Sequence, residues 1–492
     1  MDARTPEATD ASLSHSEIRV IVTGVMVAMF LSALDQTIIA TALPTIGGSF
    51  GDLENLTWVV TAYLLTGTAI TPLVGKFADI HGPRPVLLAS IGTFLIGSVL
   101  CATAQNMPWL IVARAVQGLG GGGLIALAQT IIGLLIAPRE RGRYQGYFAI
   151  VFITSSIAGP ILGGFFAEHL HWSLIFWINV PLGLIAALMS DRSLRRLPAH
   201  HHPHRLDILG AFLMCAGTVA LLMALSWGGT EFRWFSFPIL GLLALAVLLW
   251  VGFALRVATA TEPLVPIAVL SNKVVRTGVP AAAFAMGTLV GLSIQMPLYL
   301  EGVMGLTASE SGLALIPLMA GVVVGATGAG RVMGHIAHYK RLPILGLLAS
   351  IAALGALALW PLGLPIAVVG VAMGIAGMGL GTVLPVTTVA VQNAVPLPQM
   401  GTATGVVNLF RSLGAAVLTA GFGAIVIGLS GIESSALLER LLEGRAQVAP
   451  LAGAFRWVFV AAAGALGVSL LAMLAMEERP LRSGHPPAPL PE

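Results

Sequence analysis

The sequence predicts an all-α polytopic membrane protein, with fourteen transmembrane helices arranged as two six-helix bundles and an inserted helix pair. Three observations carry that prediction. Of the 492 residues, 57% are hydrophobic and only 10% charged, with a mean hydropathy of +0.91, whereas soluble domains carry about 25% charged residues. Apolar runs of about 20 residues, long enough to cross a bilayer, recur fourteen times along the chain. The basic residues also gather in alternate loops, as the positive-inside rule requires.

The runs lie near residues 18–43, 57–77, 85–104, 108–136, 144–167 and 173–190. Two more follow at 208–227 and 236–256, then six at 278–300, 309–333, 342–360, 365–390, 402–429 and 454–476. With a cytoplasmic N-terminus, nineteen of the 25 Lys and Arg residues fall in inside segments, and both termini are cytoplasmic. The expected divisions are 1–190 for the first bundle, 191–276 for the linkers and inserted pair, and 277–492 for the second bundle with its tail. No cleavable signal peptide is expected, because the first 17 residues are polar and the first apolar run is too long for a signal core. The 58 glycines suit helices packed through small residues, and the two cysteines, Cys101 and Cys215, lie in apolar spans without a disulfide framework.

The first span carries Asp35 about midway, the one acidic residue in the interior of an apolar run, since Glu310 stands only at the edge of its own. A charge at membrane depth costs roughly 2.5–3.5 kcal/mol on insertion scales, so it faces a cavity or a partner and marks a functional site. Between spans two and three, Gly75 and Gly82 permit tight turns while Asp79 and Arg84 are spaced to pair across the helix ends. Span four holds Arg114 and Gln117 ahead of a glycine run; a buried Arg needs a carboxylate, carbonyls or water. In span five, Gly159, Pro160, Gly163 and Gly164 describe a kinked helix with a close neighbour.

Further along, the linker 191–207 carries His200, His201, His202 and His204, which read as a solvated segment, and no metal site is expected. Leu437, Leu438, Leu441 and Leu442 in the outside segment 431–451 recur at helical spacing and predict a short helix on the membrane surface. Arg411 in span thirteen is the other intramembrane charge. Gln36, Gln117, Gln295, Gln392 and Asn408 line a path or bond across helices, and Gln36 and Gln117 stand beside the charged motif residues. Phe30, Tyr63, Phe284, Met286, Met296 and Tyr299 are candidates for an adaptable substrate cavity.

These motifs resemble the major facilitator superfamily, and within it the fourteen-span drug:proton antiporters, the EmrB/QacA-like group. The loop from Gly75 to Arg84 is similar to that family's cytoplasmic latch, although Ile80 and Pro83 stand where the family usually has Arg or Lys. Arg114, Gln117 and Gly118 match an R-x-x-Q-G motif tied there to proton movement, and Gly159 to Gly164 match the signature of proton-driven exporters. Leu34 to Pro44, Phe176 to Gly183 and Gly401 to Gly414 resemble the fourteen-span group. The counterpart of the latch in the second half has Gly334 in place of the expected Asp, so no equivalent charge latch is expected there.

The resemblance implies a multidrug efflux function in a bacterial inner membrane, driven by the proton gradient without a cofactor. Asp35 and Arg114 would couple proton binding to alternating access. Burial raises a carboxylate's proton affinity and a nearby cation lowers it, and a lipophilic cation would also be drawn to Asp35. The expected partners are hydrophobic or cationic small molecules, protons and membrane lipid, with no nucleic acid; a periplasmic adaptor, used by some relatives, stays open. A dedicated exporter of one metabolite or self-made antibiotic is the alternative, since the motifs encode coupling and not recognition. A membrane enzyme is the remote alternative: the sequence has no H-E-x-x-H, no Ser/His/Asp grouping and no paired acids at membrane depth. It also lacks the G-x-x-x-x-G-K-[ST] loop of a nucleotide-driven pump.

Overall fold

The computed structural model describes residues 15–52, 54–195, 206–430 and 448–481. Among them, fourteen helices are long and apolar enough to cross a membrane. The first bundle is built from α1 (His15–Phe50), α2 (Leu56–His81), α3 (Pro83–Ala102), α4 (Met107–Leu135), α5 (Pro138–His169) and α6 (Leu174–Arg192). The inserted pair is α7 (Ile208–Trp227) and α8 (Phe237–Thr259). The second bundle contains α9 (Lys273–Gly302), α10 (Ser309–Val332), α11 (Arg341–Leu359), α12 (Ile366–Ala394), α13 (Met400–Ser430) and α14 (Val448–Ala475).

The helices outrun several of the apolar runs that announce them. α1 continues to Phe50 and carries Pro44 within it. Pro44 is exposed; its missing N–H costs one ladder bond and its ring crowds the Ala40 carbonyl one turn back, yet the helix runs on past it. α4 is interrupted at Gly122 and Gly123, where a Cβ on Gly122 would come within 2.1 Å of the Gly67 carbonyl. The linker histidines and most of the surface helix expected over 431–451 lie outside the described residues; the last four positions of that segment, Val448 to Leu451, begin α14.

Each bundle buries its own core. Met29, Ile91, Leu127 and Phe148 fill the first, while Tyr299, Phe422, Phe455 and Phe459 fill the second. α7 and α8 are joined by an ion pair of 2.9 Å between Arg256 and Asp207, whose carboxylate also accepts from the Gly210 N–H and caps α7. The pair docks at the seam between the bundles: Trp227 meets Trp58 of α2 edge-on, and Trp250 packs on Phe410 of α13.

The two bundles meet along α2–α13 and α5–α10. Their closest approaches lie toward the end that carries the basic loops, called the basic end below. A Cβ on Gly75 would sit 2.2 Å from the Gly401 carbonyl, and one on Gly330 would sit 2.0 Å from the Gly142 carbonyl. Backbone packs on backbone there, which only glycine permits. α1, by contrast, leaves Gln36, Ala40, Pro44 and Gly48 exposed along one face toward the opposite end.

Candidate functional site

Asp35 sits on α1 where neighbouring turns bury it completely, at 0% exposure. Its Oδ2 accepts from Arg114 Nη1 at 2.6 Å, and its Oδ1 accepts from Gln117 Nε2 at 2.7 Å and Asn179 Nδ2 at 3.0 Å. Arg114 is equally enclosed: Nε donates to the Val59 carbonyl at 3.0 Å, and Nη1 also donates to Gln117 Oε1 at 2.6 Å. The guanidinium lies over the Tyr63 ring at 4.4 Å and near Phe176 at 5.8 Å. Ser98 accepts from Gln117 and Asn179, and the Tyr63 hydroxyl meets Ser32 of α1. Five helices therefore converge on one buried ion pair, with α4 supplying both Arg114 and Gln117 by their three-residue spacing.

The site lies away from the basic end. Val59 is in the first turn of α2, Asn179 begins the main length of α6, and Arg114 is seven residues into α4. It is inside the first bundle and not between the bundles, so in this arrangement Asp35 offers no surface to a substrate. The expectation that Asp35 meets a lipophilic cation directly is corrected accordingly: three donors already occupy its carboxylate. Gln36, next along α1, stays exposed and donates back to the Ser32 carbonyl.

Asp79 and Arg84 do not pair with each other, contrary to the sequence expectation. The left-handed Gly82 (φ 82°) turns the chain between α2 and α3, and it sends the two side chains to different partners. Asp79 receives Gly401 N–H and Thr402 N–H at 2.7 Å each, and the Thr402 hydroxyl at 2.6 Å. Those amides open α13, where helices favour a negative charge. Arg84 instead pairs with Asp191 at the end of α6. Deeper in the same seam, Gln129 of α4 accepts from Asn408 and Gln392 of the second bundle. At Gly334 the second half carries no acid, and the contact there comes from the first bundle, with Arg139 donating to the Gly334 carbonyl at 2.8 Å.

In α5, Gly159 and Gly163 make room for α1. A Cβ at either would lie within about 2.3 Å of Thr37, Ile38 or Thr41, and Thr37 donates to the Ser155 carbonyl at 2.8 Å. Pro160 is exposed, and Gly164 has open space where a Cβ would stand. The cavity candidates separate. Met296 and Tyr299 are spent on the second bundle's core, Tyr299 against Phe455 and Phe459 with its hydroxyl on the Pro361 carbonyl. Aromatic and Met residues at helical spacing fill cores as readily as they line cavities, which is why their sequence positions misled. Tyr63 is held beside Arg114, whereas Phe30, Phe284 and Met286 are half-buried. Arg411 is buried in α13 against α12.

The sequence reading missed Asn179 and Ser98 as members of the Asp35 cluster. Asn179 stands in the stretch Phe176 to Gly183 that resembles the fourteen-span group, and an amide set among apolar residues within that stretch was the available signal.

Residues 25–419 match the family model described as Major Facilitator Superfamily. The chain is 36% identical over 420 residues to the Multidrug transporter protein MdtP of Bacillus subtilis, covering 85% of this chain and 77% of that protein. Over 413 residues it is 31% identical to Multidrug resistance protein 3 of the same organism, covering 84% and 80% of the two chains. Among solved structures, the human organic anion transporter MFSD10 superposes with a TM-score of 0.67 at 16% identity, covering 92% of this chain and 99% of that one. A bacterial homologue of the iron transporter ferroportin, in its outward-facing state, gives 0.62 at 13% identity over 93% and 100% of the two chains.

Proposed function

This chain belongs to the major facilitator superfamily, in a branch whose relatives are multidrug efflux transporters, and on that premise we propose that it is a proton-coupled antiporter exporting lipophilic, often cationic compounds by alternating access. The basic end faces the cytoplasm of a bacterial inner membrane, following the distribution of Lys and Arg. The arrangement described above is then sealed toward the cytoplasm and opens outward, with Gln36 and the rest of the exposed face of α1 available to a departing substrate.

The observation that carries this reading is the fully buried Asp35–Arg114 pair. Removing one partner of such a pair leaves the other charge uncompensated, at about 3–5 kcal/mol. A proton arriving on Asp35 neutralises the carboxylate and has the same effect on Arg114. The cluster then rearranges, which frees α1 from α4 and α6 and favours the arrangement open to the cytoplasm. Release of the proton there restores the pair. Asp35 therefore acts through the position of α1, and no cofactor takes part.

The test uses inside-out vesicles with a luminal pH dye, energised to acidify the lumen and then given a panel of lipophilic cations. The native chain should release luminal protons on cation addition, and Asp35→Asn should not. Equal responses from the two would make Asp35 structural and end the proposal.

A further inference from the structure

The second bundle holds a buried cation that the coupling mechanism leaves unused. Arg411 of α13 is only 7% exposed. Its Nη2 donates to three neutral acceptors on α12: the Leu384 carbonyl at 2.8 Å, Thr388 Oγ1 at 2.7 Å and Thr387 Oγ1 at 3.2 Å. Its Nε is fully buried without a partner, and Nη1 makes no hydrogen bond among the described residues. No carboxylate among them pairs with it, in contrast to Arg114, which has Asp35. A guanidinium is always charged and presents five N–H donors, so this one has both charge and donors to spare.

Its place in the fold is equally specific. Arg411 is one turn beyond Asn408, and its partner Thr388 is one turn before Gln392; those two side chains close on Gln129 where the bundles are knit together. Arg411 therefore stands just above the closed floor, on the side away from the basic end. It is eleven residues along α13, which at 1.5 Å per residue is roughly 16 Å from that end. Its neighbour Ser412 is exposed.

We propose that Arg411 is a receptor for the anionic group, a carboxylate or sulfonate, of an amphiphilic compound that enters between the bundles. An oxyanion there would take up the unused N–H groups and supply the missing counter-charge in a medium where both are worth more than in water. The range of ligands then extends from lipophilic cations to amphiphilic anions and zwitterions. Export of such ligands rests on the transport reading above; their binding does not.

The experiment measures binding of naphthalene-2-carboxylate and of its neutral analogue naphthalene-2-carboxamide to the purified full chain in nanodiscs, with tetraphenylphosphonium as a cationic control. The native chain should hold the carboxylate at least tenfold tighter than the amide. Arg411→Gln should bring that ratio to about one, and Arg411→Lys should keep part of it, while both still bind tetraphenylphosphonium. A chloride titration separates occupants: competition by chloride at millimolar concentration identifies a small inorganic anion as an alternative ligand of the same site. A photoreactive aryl carboxylate on the native chain should label residues around 384–388 and 404–415, a readout independent of how the variants fold. No preference in the native chain, an unchanged preference in Arg411→Gln, or labelling confined to other helices would overturn the proposal. Because the readout is binding, it stands or falls separately from cation-driven proton release.

Discussion

Asp79→Asn should open the sealed end of the molecule. The carboxylate receives three short hydrogen bonds from the first two residues of α13 that it touches, at 2.6–2.7 Å, and hydrogen bonds to a charged group are worth about 1.5–3 kcal/mol each. An asparagine keeps one acceptor oxygen and turns an NH2 toward an amide that also needs an acceptor. It also removes the negative charge from the helix N-terminus, itself a matter of roughly 0.3–1 kcal/mol. One acceptor survives, so we expect a net loss of about 2–4 kcal/mol from the sealed arrangement, on the order of a 30- to 1,000-fold shift toward the alternative at 1.36 kcal/mol per tenfold. Minor conformations of such proteins hold about 0.1–10% of the population, so a shift of that size raises the alternative to at least about 3% and, from most of that range, to a major share of the molecules. Spin labels at Glu140→Cys and Ala337→Cys, both exposed near the seal on opposite bundles, report it as a second, longer distance, with Cys215 replaced by Ala and Cys101 left buried. Arg84→Ala is the control: its pair with Asp191 is half-exposed and joins α3 to α6 within one bundle, so about 0–1 kcal/mol is at stake and the distances should not move. An unchanged distribution in Asp79→Asn would refute the reasoning and leave the seal to the glycine contacts.

Two other substitutions test those contacts and the ion pair. Gly330→Ala places a methyl 2.0 Å from the Gly142 carbonyl, where only backbone stands and nothing can rotate aside; the bundles must part, at about 1–3 kcal/mol, and the same label pair should lengthen. Arg114→Met strands Asp35 and should lower stability by about 3–5 kcal/mol, seen as a fall in thermal unfolding temperature. Adding Asp35→Asn should recover much of that loss, and a double variant as unstable as the sum of the two singles would show that the two residues are not energetically a pair.

The Asp35 cluster was largely legible because charge inside an apolar run is rare and has to be matched. Asp35 and Arg114 announced each other, and Gln117 followed from its spacing. Asn179 was harder, since a neutral amide at a helix start has ordinary capping roles. Asp79 was recognised without its partners, for a plain physical reason. Two of its three partners are backbone N–H groups more than three hundred residues away, and every residue but proline carries one; the third is the Thr402 hydroxyl. Arg84 then looked like the natural counter-charge and proved to belong to Asp191. Met296 and Tyr299 failed differently, because burial in a core and exposure to a cavity leave the same helical periodicity. The fourteen spans were read from hydropathy, but their ends were not: Pro44 falls within α1, where a stop looked natural.

One helix reaches from the ion pair to the seal. Near its start, α2 receives the Arg114 Nε–H on the Val59 carbonyl and stacks Tyr63 under the guanidinium. In its middle, the Thr71 hydroxyl donates to the Gly122 carbonyl of α4. Near its other end, Gly75 lies against Gly401 and Asp79 caps α13. Twenty residues separate Val59 from Asp79, roughly 30 Å along an α-helix, a distance at which two unit charges interact by only about 0.6 kcal/mol at an effective dielectric of about 20. Direct electrostatic interaction between the two carboxylates is therefore too weak to link a proton at Asp35 to the seal. A displaced α2 can, because its two ends are fastened to different bundles and a packed helix transmits shift better than it bends. Pro72 is the one soft point in that rod, and it sits against Gly405 at the seam, where a change in helix direction would first be felt by the second bundle.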